Sequence, residues 1–127
     1  MIHLDTSILI DALTGPRRSA LALREAIARG ERITFSSIVL YEWQRGPRAP
    51  EELRVQEALF PPESTAAFGL DEARIAAALY QRTRRARGRE IDIAIAACAM
   101  AAGARLWTLN TADFEDLPGV DLYLPGV

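Results

Sequence analysis

Hydrophobic and polar positions along the chain sort into short apolar runs and longer segments with helical spacing. Ile2–Asp5 is an apolar run that ends on an acid and reads as a short buried strand. Thr6–Leu13 continues as a helix, with Thr6 or Ser7 placed to cap it and Gly15-Pro16 to break it. Arg18–Arg29 repeats apolar residues at Leu21, Leu23, Ala26 and Ile27, an amphipathic helix that ends at Gly30. Arg32–Phe35 reads as a second short strand. Ser36-Ser37 then offers an N-cap for a helix over Ser37–Arg45, closed by Gly46-Pro47. Glu51–Leu59 is a further helix, stopped by Pro61-Pro62, and Thr65–Phe68 reads as a brief strand. Asp71 to about Ala86 is a longer helix with acids in its first turn and arginines in its last, which suits the helix dipole. Ile91–Ala102 is apolar on every side and reads as a buried helix ended by Gly103. Arg105–Leu109 and Leu122–Leu124 are the last expected strands. Short apolar strands alternating with helices argue for an α/β fold: a mainly parallel central sheet with helices on both faces, its ligand site beyond the carboxyl ends of the strands.

Composition narrows the class. At 127 residues the chain suits a single domain over 1–127, and no repeat, linker or low-complexity tract divides it. A half-hydrophobic, quarter-charged composition excludes a disordered chain and a collagen-like one. The single cysteine, Cys98, excludes an internal disulfide scaffold. Met1–Asp11 lacks a basic leader region, and no apolar run is long enough to span a membrane, so a cytoplasmic protein without a membrane partner is expected. The net charge of -2 hides an asymmetry, because Arg82, Arg84, Arg85, Arg87 and Arg89 lie close together. A local basic patch of this kind suits a polyanion even on an acidic protein.

The chemistry lies in acids placed among apolar residues. Asp5 closes the first strand and precedes Ile8, Leu9 and Ile10; Asp92 interrupts the run Ile91 to Ala97. Glu42 sits between Tyr41 and Trp43, and Asp113 precedes Phe114 shortly after the strand Arg105–Leu109. A lone carboxylate in such surroundings is costly unless paired or bound to a cation. Singly, each has an ordinary explanation: Asp5, Asp92 and Asp113 as caps, Glu42 as the partner of Arg45. Together they converge. Adjacent parallel strands bring Asp5 and Asp113 to one edge, Asp92 starts a buried helix, and Glu42 can reach the same edge. Clustered carboxylates raise one another's pKa, and a divalent cation removes that penalty. Oxygen ligands without histidine or cysteine point to Mg²⁺ or Mn²⁺ rather than zinc. The one histidine, His3, reads as a core or sheet-face residue.

Four segments in order carry a family resemblance: Leu4-Asp5-Thr6-Ser7-Ile8-Leu9, Tyr41-Glu42-Trp43-Gln44-Arg45-Gly46, Asp92-Ile93-Ala94-Ile95-Ala96-Ala97 and Thr108-Leu109-Asn110-Thr111-Ala112-Asp113-Phe114. The chain resembles the PIN-domain ribonucleases, and among them the VapC-type toxins of bacterial toxin–antitoxin pairs. In that family asparagine often stands where this chain has Ser7. The resemblance implies a three-layer α/β/α fold and metal-dependent cleavage of RNA to 5′-phosphate and 3′-hydroxyl ends. It also implies a cognate antitoxin and a homodimer. It carries the family's acid roles, catalytic and metal-binding, to Asp5, Glu42, Asp92 and Asp113. Glu90 takes the place of an auxiliary acid, in a stretch before Asp92 that is shorter than in many relatives.

Around these acids, Thr6, Thr108 and Asn110 are expected to hydrogen-bond the carboxylates or a phosphate, with local capping as the alternative. The arginines from Arg82 to Arg89 are candidates for steering RNA or binding an antitoxin, or else form a solvated helix end. Trp43 and Trp107 have apolar neighbours, which favours core packing over stacking on a base. Ile8, Leu9 and the Glu51–Leu59 helix are candidates for a partner surface. Two further readings stay open: an RNA-processing nuclease without an antitoxin, and a module that binds RNA or protein without cleaving.

Overall fold

The computed structural model describes residues 1–126. Its core is a three-stranded parallel sheet of β1 (Ile2–Leu4), β2 (Ile33–Thr34) and β3 (Arg105–Trp107) in the order β2-β1-β3. Six helices surround it: α1 (Thr6–Leu13), α2 (Ala20–Ala28), α3 (Ser37–Arg45), α4 (Pro50–Leu59), α5 (Leu70–Arg82) and α6 (Glu90–Ala101). In register, Ile2 lies opposite Ile33 and Arg105, and Leu4 opposite Trp107. Successive strand side chains point to opposite faces, and all of Ile2, His3 and Leu4 are buried, so both faces of the central strand are covered. The chain leaves β1 toward β2 on one side and later crosses to β3 on the other. The order therefore reverses at β1, and the crevice between the ends of β1 and β3 is the switch point where such folds bind ligands.

The core forms where the sequence is most apolar. Ile93 to Ala99 of α6 are all buried, each large aliphatic side chain contributing roughly 2 kcal/mol by burial. The helix ends at Ala101, and Gly103 just beyond it, at φ 63°, turns the chain so that the Ala104 N–H bonds the Ala99 carbonyl at 2.9 Å. Trp43 and Trp107 pack in the core, Trp107 against Tyr123. Ile8 and Leu9 are wholly buried, so these two residues form core rather than partner surface. His3 is buried with neither ring nitrogen hydrogen-bonded among the described residues, and burial, aided by the N-terminal charge, lowers its pKa.

Elements differ from expectation where local chemistry overrides hydrophobic pattern. Thr65–Phe68 and Leu122–Leu124 are not strands. Each contributes a single parallel bridge, Ser36 with Ala66 and Leu106 with Leu122. α5 stops at Arg82 instead of running to Ala86, because the Thr83 hydroxyl donates to the Leu79 carbonyl and Arg85 takes a left-handed turn at φ 56°. β3 ends at Trp107, and Thr108 and Leu109 turn toward the site instead of extending the ladder.

Candidate metal centre

Four separate segments deliver the acids to the switch-point crevice. Asp5 follows directly on β1, and its own N–H bonds the Trp107 carbonyl at 2.8 Å, which locks it to the end of β3. It occupies the N-cap position of α1, yet its side chain caps nothing. Its Oδ2 instead accepts from Ser7 Oγ at 2.9 Å and from Thr108 Oγ1 at 2.7 Å. The lone pairs of those hydroxyls take main-chain donors: Leu109 N–H to Ser7 at 3.0 Å and Asn110 N–H to Thr108 at 2.9 Å. The network orients the carboxylate and leaves Oδ1 as the oxygen without a hydrogen bond among the described residues.

Thr6 serves the second acid. Its Oγ1 donates to Glu42 Oε1 at 2.6 Å, holding α3 to the start of α1, while Glu42 Oε2 faces Arg45 at 3.4 Å. The expected Glu42–Arg45 pair therefore exists, but only on the outer oxygen. α3 begins cleanly because Ser36 Oγ accepts from the Val39 N–H.

Asp92 lies in the first turn of α6, half-buried, and its pKa is pushed up to about 6. Burial is the main cause, followed by the negative charges of Asp5, Asp113 and Glu42, with Arg89 acting in the opposite direction. One carboxyl thus senses all three others, the electrostatic signature of a shared site. Asp113 sits on an exposed 3₁₀ turn over Thr111–Asp113, anchored by the buried Phe114 that follows.

The remaining candidates separate. Thr6 and Thr108 contact the acids directly, whereas Asn110 enters through its main-chain N–H. Glu90 is exposed and accepts from the Gly88 N–H at 3.3 Å, holding the turn that precedes α6. Arg82, Arg84, Arg85 and Arg87 are exposed at the end of α5 and on the turn after it. Arg89 differs: it forms a two-pronged ion pair with Asp116 at 2.6 and 2.9 Å and bonds the Asp113 carbonyl at 2.8 Å. Ser7 and Asp116 are the two contributors missing from the sequence reading. Ser7 had a readable signal, a hydroxyl two residues after Asp5 inside the first motif; Asp116 had none.

The donor set is all oxygen and suits a hard divalent cation. Among the described residues no three acids form a group close enough to hold one ion. Mg²⁺ commonly takes one or two carboxylates and completes its shell with water and substrate phosphate, which this arrangement allows. Asp5, whose Oδ1 has no hydrogen bond among the described residues, and the half-buried Asp92 are the acids that could hold such an ion.

The chain is 37% identical over 117 residues to the ribonuclease VapC19 of Mycobacterium tuberculosis, covering 91% of this chain and 93% of the relative. The fold matches Rickettsia felis VapBC2 bound to a DNA fragment from its promoter, with a TM-score of 0.77 and 25% identity over 97% of this chain and 98% of that one. Fold likeness extends to DNA-bound VapBC from Salmonella typhimurium (TM-score 0.75, 23% identity, 96% of each chain) and to FitAcB from Neisseria gonorrhoeae (TM-score 0.72, 20% identity, 97% of each chain). The PIN domain model matches residues 2–120, from the first strand to beyond the fourth acid, and the chain belongs to the PIN domain family.

Proposed function

We propose that this protein is a metal-dependent endoribonuclease that acts as the toxin of a toxin–antitoxin pair. The observation that carries the reading is the Asp5 carboxylate fixed by Ser7 and Thr108 at the switch-point crevice, with the half-buried Asp92 close enough to feel its charge and those of Asp113 and Glu42. It is supported by the 37% identity to a named ribonuclease of the VapC type.

Asp5 and Asp92 would hold Mg²⁺ or Mn²⁺, with Glu42 and Asp113 contributing directly or through water. When bound, such an ion would supply Lewis-acid polarisation of the phosphodiester and a more acidic water. The chain's own groups prepare this chemistry. Ser7 and Thr108 fix the Asp5 carboxylate, and Thr6 fixes Glu42. Asp92 gives up its proton above pH 6 and then offers a full carboxylate. Arg82, Arg84, Arg85 and Arg87 neutralise phosphates along the RNA, an attraction that is independent of sequence. The products are a 5′-phosphate and a 3′-hydroxyl.

The protein works as a homodimer, and its antitoxin covers an apolar groove between α1, α2 and α4. This groove, of about 410 Å³, is lined by Leu21, Ile27 and Leu59 and flanked by Arg17 and Arg24. An amphipathic helix with acids beside its apolar stripe fits both features. No helix of the described residues is long and apolar enough to cross a membrane.

Expression of the chain alone in a bacterial host tests the reading. Growth is expected to stop, with discrete cuts in cellular RNA bearing 5′-phosphates, and co-expression of the antitoxin is expected to abolish both effects. RNA cuts that no antitoxin suppresses would favour an RNA-processing nuclease, and intact RNA would favour a non-cleaving binding module.

A further inference from the structure

We propose that Arg89 and Asp116 form a clamp that positions Asp113 beside Asp92, making Arg89 a positioning residue rather than an RNA-binding arginine; this inference rests on the nuclease reading above. Asp113 stands at the end of a single exposed 3₁₀ turn, with no α-helix or strand of its own to fix it. Asp92 stands on a rigid buried helix. Arg89 joins the two. Its main chain is locked into the start of α6, N–H to the Ala86 carbonyl and carbonyl to the Ile93 N–H, each at 2.9 Å. Its guanidinium reaches across to the turn. Nη1 and Nη2 meet the two oxygens of Asp116 at 2.9 and 2.6 Å, and Nη2 also bonds the main-chain carbonyl of Asp113 at 2.8 Å. Phe114 and Leu117, both buried, hold the far side of the same turn in the core.

An exposed ion pair contributes little to stability by itself, and Asp116 is half exposed. What the fork adds is geometry: parallel bonds from a planar group fix orientation, as a lysine ammonium does not. The third bond places that constraint on the residue whose carboxylate belongs to the site. The guanidinium charge also offsets the crowding of acids around Asp92. An RNA phosphate at Arg89 would have to displace Asp116 and release the Asp113 carbonyl. Arg82, Arg84, Arg85 and Arg87 form no salt bridge among the described residues and remain available for RNA.

The test compares Arg89→Gln, Arg89→Lys, Asp116→Asn and the Arg89→Gln/Asp116→Asn double variant, with thermal melts to check folding. Steady-state RNA cleavage is measured, together with Mn²⁺ binding by calorimetry in the absence of RNA. Asp116→Asn alters an exposed group that carries no positive charge, so it separates positioning from RNA attraction. It is expected to lower kcat and Mn²⁺ affinity by about tenfold while KM for RNA holds within about twofold. Arg89→Gln is expected to match it, the double variant to be no worse than either single one, and Arg89→Lys to restore little. Unchanged kcat and Mn²⁺ affinity in Asp116→Asn, or an Arg89→Gln effect confined to KM, would overturn the clamp. A wild-type protein that binds Mn²⁺ but cleaves no RNA would instead overturn the nuclease reading, leaving the clamp to be judged by Mn²⁺ binding alone.

Discussion

Asp92 is where the cost and the use of the site meet in one residue. Its folded pKa of about 6 lies above the ordinary carboxylate value, so the native state binds more protons than the unfolded chain between those values. Without bound metal, stability therefore falls as pH rises through that window, the reverse of a salt-bridged aspartate. Asp92→Asn removes the penalty. In EDTA at pH 7.5 it is expected to raise Tm by on the order of a few °C, and near pH 4, where the unfolded chain also begins to protonate this position, to leave Tm close to wild type. An equal gain at both pH values in differential scanning calorimetry would mean that charge crowding is not the cause. Because a cation would compete with this proton, Mn²⁺ affinity measured by calorimetry is expected to rise with pH through about 6. Asp92 was legible in the sequence because an acid inside an otherwise apolar helix demands an explanation. Arg89 and Asp116 were not: both look like surface charges, and 27 positions separate them.

At the scale of the element, the sequence resolved helices better than strand edges. α1, α3 and α6 carry strong apolar spacing and clear stops, and they formed within a residue of expectation. Thr65–Phe68 and Leu122–Leu124 have strand-like composition, but apolar pattern does not distinguish a full ladder from a single bridge. The start of α1 is instructive. Thr6 and Ser7 have the side chains of helix caps, yet their hydroxyls turn to Glu42 and Asp5, and the helix begins without a side-chain cap. α3 keeps its cap at Ser36. Ser36→Ala is expected to cost about 1 kcal/mol in urea denaturation. Because Thr6 also holds Glu42, the variant should retain RNA cleavage once folded; a large loss of cleavage at intact stability would show that the cap, not Thr6, sets the Glu42 position.

The whole molecule separates its tasks by place. The acids lie at the carboxyl ends of the strands, the free arginines beside the start of α6, and the apolar groove on α1, α2 and α4. The alternation of elements made the architecture readable, but the groove was not, since Leu21 and Ile27 read as the buried face of their helix and are in fact exposed. Leu21→Asp, at the groove, is expected to weaken antitoxin capture at least tenfold, on the order of the loss of a buried interface anchor. Cleavage by the free protein should be unchanged, and antitoxin binding at wild-type strength would move the partner to another face.

The central claim is that the four acids act as one metal-dependent nuclease site, and cleavage of purified total RNA by antitoxin-free protein tests it most directly. Wild type, Asp5→Asn and Asp92→Asn are compared in Mg²⁺, in Mn²⁺ and in EDTA. The account predicts discrete cuts by wild type in either metal, none in EDTA, and loss of cleavage in both variants although each stays folded. Cleavage that survives in EDTA or in both variants would contradict it.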